Sequence, residues 1–233
     1  MSELFATEHV AALAGIAIAT AVLVAAARRS PGRWLVAFGA VLVIDEISWW
    51  VYVVRGGVPG SVLAWSLPLQ LCDVAIFAAA AALWTRRQLL VEVTYFWGLA
   101  GTIQALLTPD LPQHFPMYPY WQYYIAHGGV VAAALVLVVG LRIHPRPRAV
   151  FGVAAITLAY AAVVAAVDAV TGADYMYLRA KPASPTLLDA MGPWPVYVVA
   201  ASVIGAVLFA ALDAPFRFAR RKALRTAPRT QPR

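Results

Sequence analysis

Cys72 is the only cysteine of this chain, Asp73 follows it directly, and His127 is the one histidine set deep in an apolar stretch. A thiol within reach of an imidazole supplies a nucleophile and its base: the imidazole takes the proton, the sulfur attacks a carbonyl, and a thioester results. A third group that orients the imidazole or sets its protonation completes such a constellation. Asp45 and Glu46 are the candidates for that role, and the same two carboxyls also read as a structural hydrogen-bonded pair. A lone cysteine has a plainer reading as an inert small hydrophobe, and a lone intramembrane histidine as a helix-packing donor. Gln70, Asp73, Trp97 and Gln104 are the neighbouring groups suited to hold a substrate.

The elements that must position these residues are read from hydropathy. The chain is 62% hydrophobic and 12% charged, with a mean hydropathy of +0.74. Seven apolar stretches, over residues 9–27, 34–54, 62–84, 89–107, 119–141, 149–170 and 195–216, are each long enough to cross a bilayer, which takes roughly 20 residues. The sequence therefore predicts an all-α polytopic bundle of seven transmembrane helices. Glu3, Glu8 and His9 precede the first stretch, with no basic flank, so it is expected to be a retained span and not a cleaved signal. Residues 1–216 are expected to form a single membrane domain, followed by a basic, flexible cytoplasmic tail over 217–233.

Charge sets the expected orientation. With the amino terminus outside and the carboxyl terminus inside, fifteen of the eighteen Lys and Arg residues fall on the cytoplasmic side, leaving only Arg55, Arg179 and Lys181 outside. The net charge of +7 then reflects topology and a basic tail near anionic lipid, and nucleic acid is not an expected partner. Ala-rich spans and the dominance of Arg over Lys suggest a high-GC bacterial genome, hence the bacterial plasma membrane.

In that frame Cys72 lies about ten residues into its span and His127 about eight, roughly 12–15 Å below the outer surface. Asp45 and Gln104 fall in the same outer half. Asp45, Ser48, Trp49 and Tyr52 share one helical stripe; Thr94, Trp97, Gly101, Gln104 and Thr108 share another; Tyr123, Tyr124 and His127 share a third. Pro68, one turn before Cys72, predicts a kink. The expected site is a polar pocket in the outer half, with Arg179 or Lys181 at its mouth to hold a phosphate headgroup or carboxylate. Trp65, Trp121, Tyr118 and Tyr120 read as an interfacial aromatic belt.

Several chemistries fit poorly. A retinal pigment needs a lysine in the last helix, whereas Lys181 and Lys222 lie outside the spans. A three-histidine zinc site needs more than one intramembrane histidine. No nucleotide-binding motif occurs, and no metal or other cofactor is expected. One cysteine leaves the redox compartment open.

The segments Leu67-Pro68-Leu69-Gln70-Leu71-Cys72-Asp73, Phe96-Trp97-Gly98-Leu99-Ala100-Gly101-Thr102-Ile103-Gln104-Ala105-Leu106-Leu107-Thr108-Pro109-Asp110, His127-Gly128 and Tyr175-Met176-Tyr177-Leu178-Arg179-Ala180-Lys181-Pro182 resemble the bacterial YwaF-like integral membrane family. They are more distantly similar to the eukaryotic transmembrane protein 164 acyltransferases. The resemblance implies acyl transfer between phospholipids, with Cys72 carrying the acyl group, His127 as its base, and membrane lipids as donor and acceptor. The alternative is a non-catalytic transporter or receptor with a polar pocket open to the outside, for which Cys72 would be dispensable.

Overall fold

A computed structural model describes residues 7–57, 67–182 and 186–226 of the chain, with side chains to residue 222. Its helices are α1 (Thr7–Arg29), α2 (Trp34–Gly57), α3 (Leu71–Thr85), α4 (Gln88–Leu107), α5 (Tyr118–Gly140), α6 (Ala149–Thr171) and α7 (Val196–Thr226). Short 3₁₀ turns over Tyr175–Tyr177 and Leu187–Met191 join the last two. No strand occurs among the described residues.

Six of these helices are long and apolar enough to span a membrane. The remaining one, α3, has fifteen residues. At 1.5 Å per residue it is about 22 Å long, short of a hydrocarbon core of about 30 Å. The expected span over 62–84 is therefore helical only from Leu71 among its described residues; residues 62–66, with Trp65, lie outside them. Pro68 explains where the helix starts. A proline disfavours helical backbone in the residue before it, so residues 67–70 stay non-helical and Gln70 becomes the N-cap, at φ −66° and ψ 144°. The kink expected inside a continuous helix is instead the beginning of α3.

Consecutive helices alternate in direction. At one end the α3 indole of Trp84 donates to the α2 carbonyl of Val36, Arg28 of α1 donates to Val139 of α5, and Arg220 of α7 donates to Pro145. This end gathers the arginines. At the other end Glu8 receives the Phe115 amide and pairs with His114, and Ser48 shares a 2.6 Å hydrogen bond with Tyr118.

The core is built from α3, α4 and α5. Ala75, Ile76, Ala79, Leu83, Phe96, Val130 and Ala133 are almost fully buried, whereas α1 and α6 bury few residues and present apolar side chains outward. Small residues let the helices close up. A Cβ added at Gly98 would lie 3.2 Å from the Val130 side chain, and one at Gly128 would lie 2.7 Å from Ile16. The middle of α4, Trp97–Thr102, is wound as a π-helix. Such segments are mostly short bulges within α-helices, often at functional sites. Beyond the expected boundary at residue 216, α7 continues as helix to Thr226, with Pro215 inside it.

Candidate functional site

Cys72 is the second residue of α3 and is half-buried. The first turn of a helix leaves backbone amides without intrahelical partners and carries a partial positive charge. The sulfur thus sits at the end of a helix that favours negative charge, a placement set by the Pro68 and Gln70 start.

Cys72 and His127 line the same crevice, with Ile76, Thr102, Ala126 and Val130 as its other walls. The crevice is too narrow for a water molecule. His127 Nδ1 lies 2.8 Å from the carbonyl oxygen of Tyr123 one turn earlier. A carbonyl only accepts, so Nδ1 carries the proton and Nε2 holds the free lone pair. The Tyr123 ring stacks on the imidazole at 4.1 Å between centroids, and its hydroxyl donates to the Ala105 carbonyl at 2.7 Å. The imidazole is thereby fixed in tautomer and in plane.

The two candidate orienting carboxyls go elsewhere. Asp45 Oδ2 accepts from the Gln122 side chain at 3.3 Å, and its stripe faces the start of α5 through Ser48 and Tyr118. Glu46 is 1% exposed; Trp50 hydrogen-bonds it, and Asp73 and Asp45 are its carboxyl neighbours, while its Oε1 finds no hydrogen-bond partner among the described residues. Glu46 also lies within electrostatic range of Cys72. The position of a triad carboxylate on His127 is thus occupied by the Tyr123 carbonyl.

The expected substrate-binding residues divide into three groups. Asp73 and Gln70 organise the chain around Cys72. Asp73 Oδ2 accepts the Gln70 amide at 3.0 Å, and Gln70 Oε1 accepts the Met176 amide at 2.8 Å. Trp97 is buried and donates to Thr157 of α6 at 2.8 Å, while Gln104 is exposed. Arg179 and Lys181 turn toward the protein: Arg179 donates to the carbonyls of Asp168 and Ala173 at the end of α6, and Lys181 lies 3.7 Å from Asp189 and over the Tyr197 ring.

Sequence reasoning passed over Tyr177 and Asp110. The loop 173–182 folds over the start of α3, tied by Met176 to Gln70, by the Tyr175 amide to Asp168 at 3.0 Å, and by the Tyr177 hydroxyl to Asp110 at 3.0 Å. Tyr197 donates to the Tyr177 carbonyl at 2.6 Å. Met176 and Tyr177 both adopt left-handed backbone, at φ 58° and 53°, which costs about 1–3 kcal/mol each for non-glycine residues. Their surroundings must hold them there, and the four tethers do so. Burial raises the Tyr177 phenol above its ordinary value; the adjacent Asp110 and then the Cys72 thiol push the same way. The placement of Tyr177 near both Asp110 and Cys72 joins the loop, the end of α4 and the start of α3. The available signal was the occurrence of Tyr-Met-Tyr in the connection from α6 to α7 and of Thr-Pro-Asp in that from α4 to α5.

Searches of curated proteins and of solved structures give no match. A sequence model of the TMEM164 family matches residues 4–213, a range that takes in every residue lining the crevice and the loop above it. Coverage of nine-tenths of the chain carries the conclusion that this integral membrane protein belongs to the TMEM164 family.

Proposed function

We propose that the protein is a phospholipid acyltransferase working through Cys72, with His127 as general base. The observation that carries this reading is the shared crevice, which a thiol at a helix N-terminus and an imidazole protonated at Nδ1 both line. In the proposed cycle His127 Nε2 takes the thiol proton, and the sulfur attacks the ester carbonyl of a donor phospholipid. The carbon–oxygen bond breaks, and the leaving alkoxide takes the proton back from the imidazolium. An acceptor hydroxyl then gives its proton to Nε2 and attacks the thioester, and the thiol is restored by the same proton. The amides of the first turn of α3 are suited to the oxyanion of each tetrahedral intermediate. Glu46, buried with one oxygen unpartnered among the described residues, is suited to hold the wall facing Asp73 and Cys72.

In this reading the chain crosses the membrane seven times. The amino terminus is outside, the arginine-rich end is cytoplasmic, and acyl chains enter laterally. The YwaF-like motifs and Arg-rich composition favour a bacterial plasma membrane. Reporter fusions after residue 87 and within the loop 173–182 should report cytoplasmic and external positions respectively.

The chemical test is direct. Protein incubated with a clickable fatty-acyl phospholipid should gain a hydroxylamine-sensitive label that Cys72→Ala abolishes and His127→Ala slows by about 10²-fold. The alternative, a non-catalytic transporter or receptor, would not need the Cys72 thiol. Full rescue of lipid composition by Cys72→Ala in a deletion strain would establish that reading in place of the enzyme.

A further inference from the structure

At the arginine-rich end, away from Cys72, α6 and α7 form a cleft of about 220 Å³ lined by Pro147, Arg148, Phe151, Asp213, Arg217, Arg220 and Arg221. Four guanidinium groups face a single carboxylate. That carboxylate, Asp213, is 1% exposed and fixes two of them: Arg217 Nε at 3.0 Å and Arg220 Nη2 at 3.3 Å. Arg217 also donates to the Ala210 carbonyl and Arg220 to the Pro145 carbonyl. Two arginines are therefore held in place by the fold. Arg148 and Arg221 have exposed side chains and flank them. Arg148 is also the N-cap of the 23-residue α6, so the positive end of that helix opens into the same space. Phe151, in the lining, is 70% exposed, and Phe218, next to Arg217 in α7, is 68% exposed.

We propose that this cleft binds the phosphate of an anionic membrane lipid. Guanidinium groups match phosphate oxygens in paired hydrogen bonds, and basic pockets between helices at the cytoplasmic side are suited to anionic headgroups. The two exposed phenylalanines favour a lipid over a soluble phosphate. Phe151 puts an apolar surface in the wall of the charged cleft, where the acyl chains of a seated lipid would begin. Positive charge placed only for topology needs no cleft; Arg86 and Arg87 lie at the same end, exposed, outside it. The site is independent of Cys72 and of the acyl-transfer reading.

The test uses the full chain in phosphatidylcholine nanodiscs, with phosphatidylglycerol titrated as the probe and bound lipid counted by native mass spectrometry. Arg148→Gln combined with Arg221→Gln should weaken phosphatidylglycerol binding by about tenfold or more, since hydrogen bonds to charged groups are the strong ones. Arg86→Gln combined with Arg87→Gln removes equal charge at the same end and should change it by less than about twofold, as an exposed, screened charge does. Equal losses in the two double variants would reduce the effect to surface charge and overturn the proposal. Inorganic phosphate at the same concentrations should leave lipid occupancy unchanged; displacement of the lipid would show a soluble anion as the ligand and overturn the lipid assignment. If the glutamine pair does not fold, Arg148→Lys with Arg221→Lys keeps the charge and removes the paired geometry. It should still weaken phosphatidylglycerol binding, and unchanged binding would overturn the proposal.

Discussion

His127 Nδ1 is 2.8 Å from the Tyr123 carbonyl oxygen, one turn back on the same helix, and that single contact fixes which nitrogen can act as a base. Within α5 the Tyr123 carbonyl would ordinarily serve the helix ladder alone, but carbonyl oxygens have two lone pairs and accept a second donor. The imidazole is oriented by its own helix, without a carboxylate.

The first prediction concerns that tautomer. Solid-state ¹⁵N NMR of histidine-labelled protein should show a neutral imidazole protonated at Nδ1, and this signal should vanish in His127→Gln. A neutral Nε2–H tautomer at this residue would remove His127 as the base for Cys72. His127→Gln should also slow Cys72 acylation by about 10²-fold, the range for loss of a general base, while leaving the fold intact.

A second prediction concerns alkaline pH. Burial, Asp110 and Cys72 all raise the Tyr177 phenol relative to its unfolded value. A raised folded value means that the folded loop binds the proton more tightly. The corresponding stability is fully present below about pH 10, the unfolded value, and falls as pH rises toward the folded one. Hydrogen–deuterium exchange should therefore show protection of residues 173–182 falling above about pH 10 in the wild type, beyond the intrinsic rise in exchange. Tyr177→Phe should start with lower protection, by about 1 kcal/mol for one lost hydrogen bond, and show no further loss from this group. The same alkaline fall in both proteins would place the titration elsewhere.

How far the sequence exposed this arrangement depended on which physics governed each part. Hydropathy located six of the helices at membrane-spanning length because lipid demands long apolar segments, and it put Cys72 and His127 at similar depth; in the structure both line one crevice. The stripe through Thr94, Trp97 and Gln104 was misleading for a local reason. The π-helical turn at Trp97–Thr102 adds a residue to the winding and rotates the rest of α4 by about 100°. Thr102 therefore lines the crevice, while Gln104 is exposed. Pattern reading assumes a constant 3.6-residue period and cannot locate such a turn. Arg179 was read by charge as a headgroup ligand. It is used at the end of α6, where unpaired carbonyls attract cations and Gly172 at φ 77° closes the helix. Tyr120, expected in the aromatic belt, is 6% exposed and donates to the Glu8 carbonyl, whereas Trp121 remains 49% exposed.

A third prediction tests the arginine-rich end. Glu92 is 1% exposed and takes three hydrogen bonds from Arg146, two from the guanidinium and one from the backbone amide, plus one from Gln88. Its hydrogen bond to Glu92 holds the Arg146 proton more tightly than usual. Arg146 is half-exposed, but removing it leaves the buried Glu92 charge uncompensated, which is worse than removing that charge itself. Arg146→Ala should therefore lower the melting temperature in detergent more than Glu92→Gln does, and the double variant should lie nearer Glu92→Gln. The reverse order would show that the contact is a screened surface pair.

The last prediction links the loop to the thiol. The crevice beside Cys72 is too narrow for water in this form, so a reagent reaches the sulfur through it only when the surrounding segments open. Two side-chain tethers of the loop are candidates for controlling that opening: Gln70 to the Met176 amide and Tyr177 to Asp110. A net intramolecular hydrogen bond is worth about 1 kcal/mol, and about 1.4 kcal/mol is a tenfold change in an opening equilibrium. Gln70→Ala and Tyr177→Phe should each raise the rate of Cys72 alkylation by a small membrane-permeant maleimide by about three- to tenfold. The double variant should exceed either. Because Cys72 is the only thiol, the label needs no background correction, and mass spectrometry of the intact protein gives the rate. An unchanged rate in both single variants would mean that access to Cys72 comes laterally from between the helices, independent of the loop, and that residues 173–182 act as a brace and not as a lid.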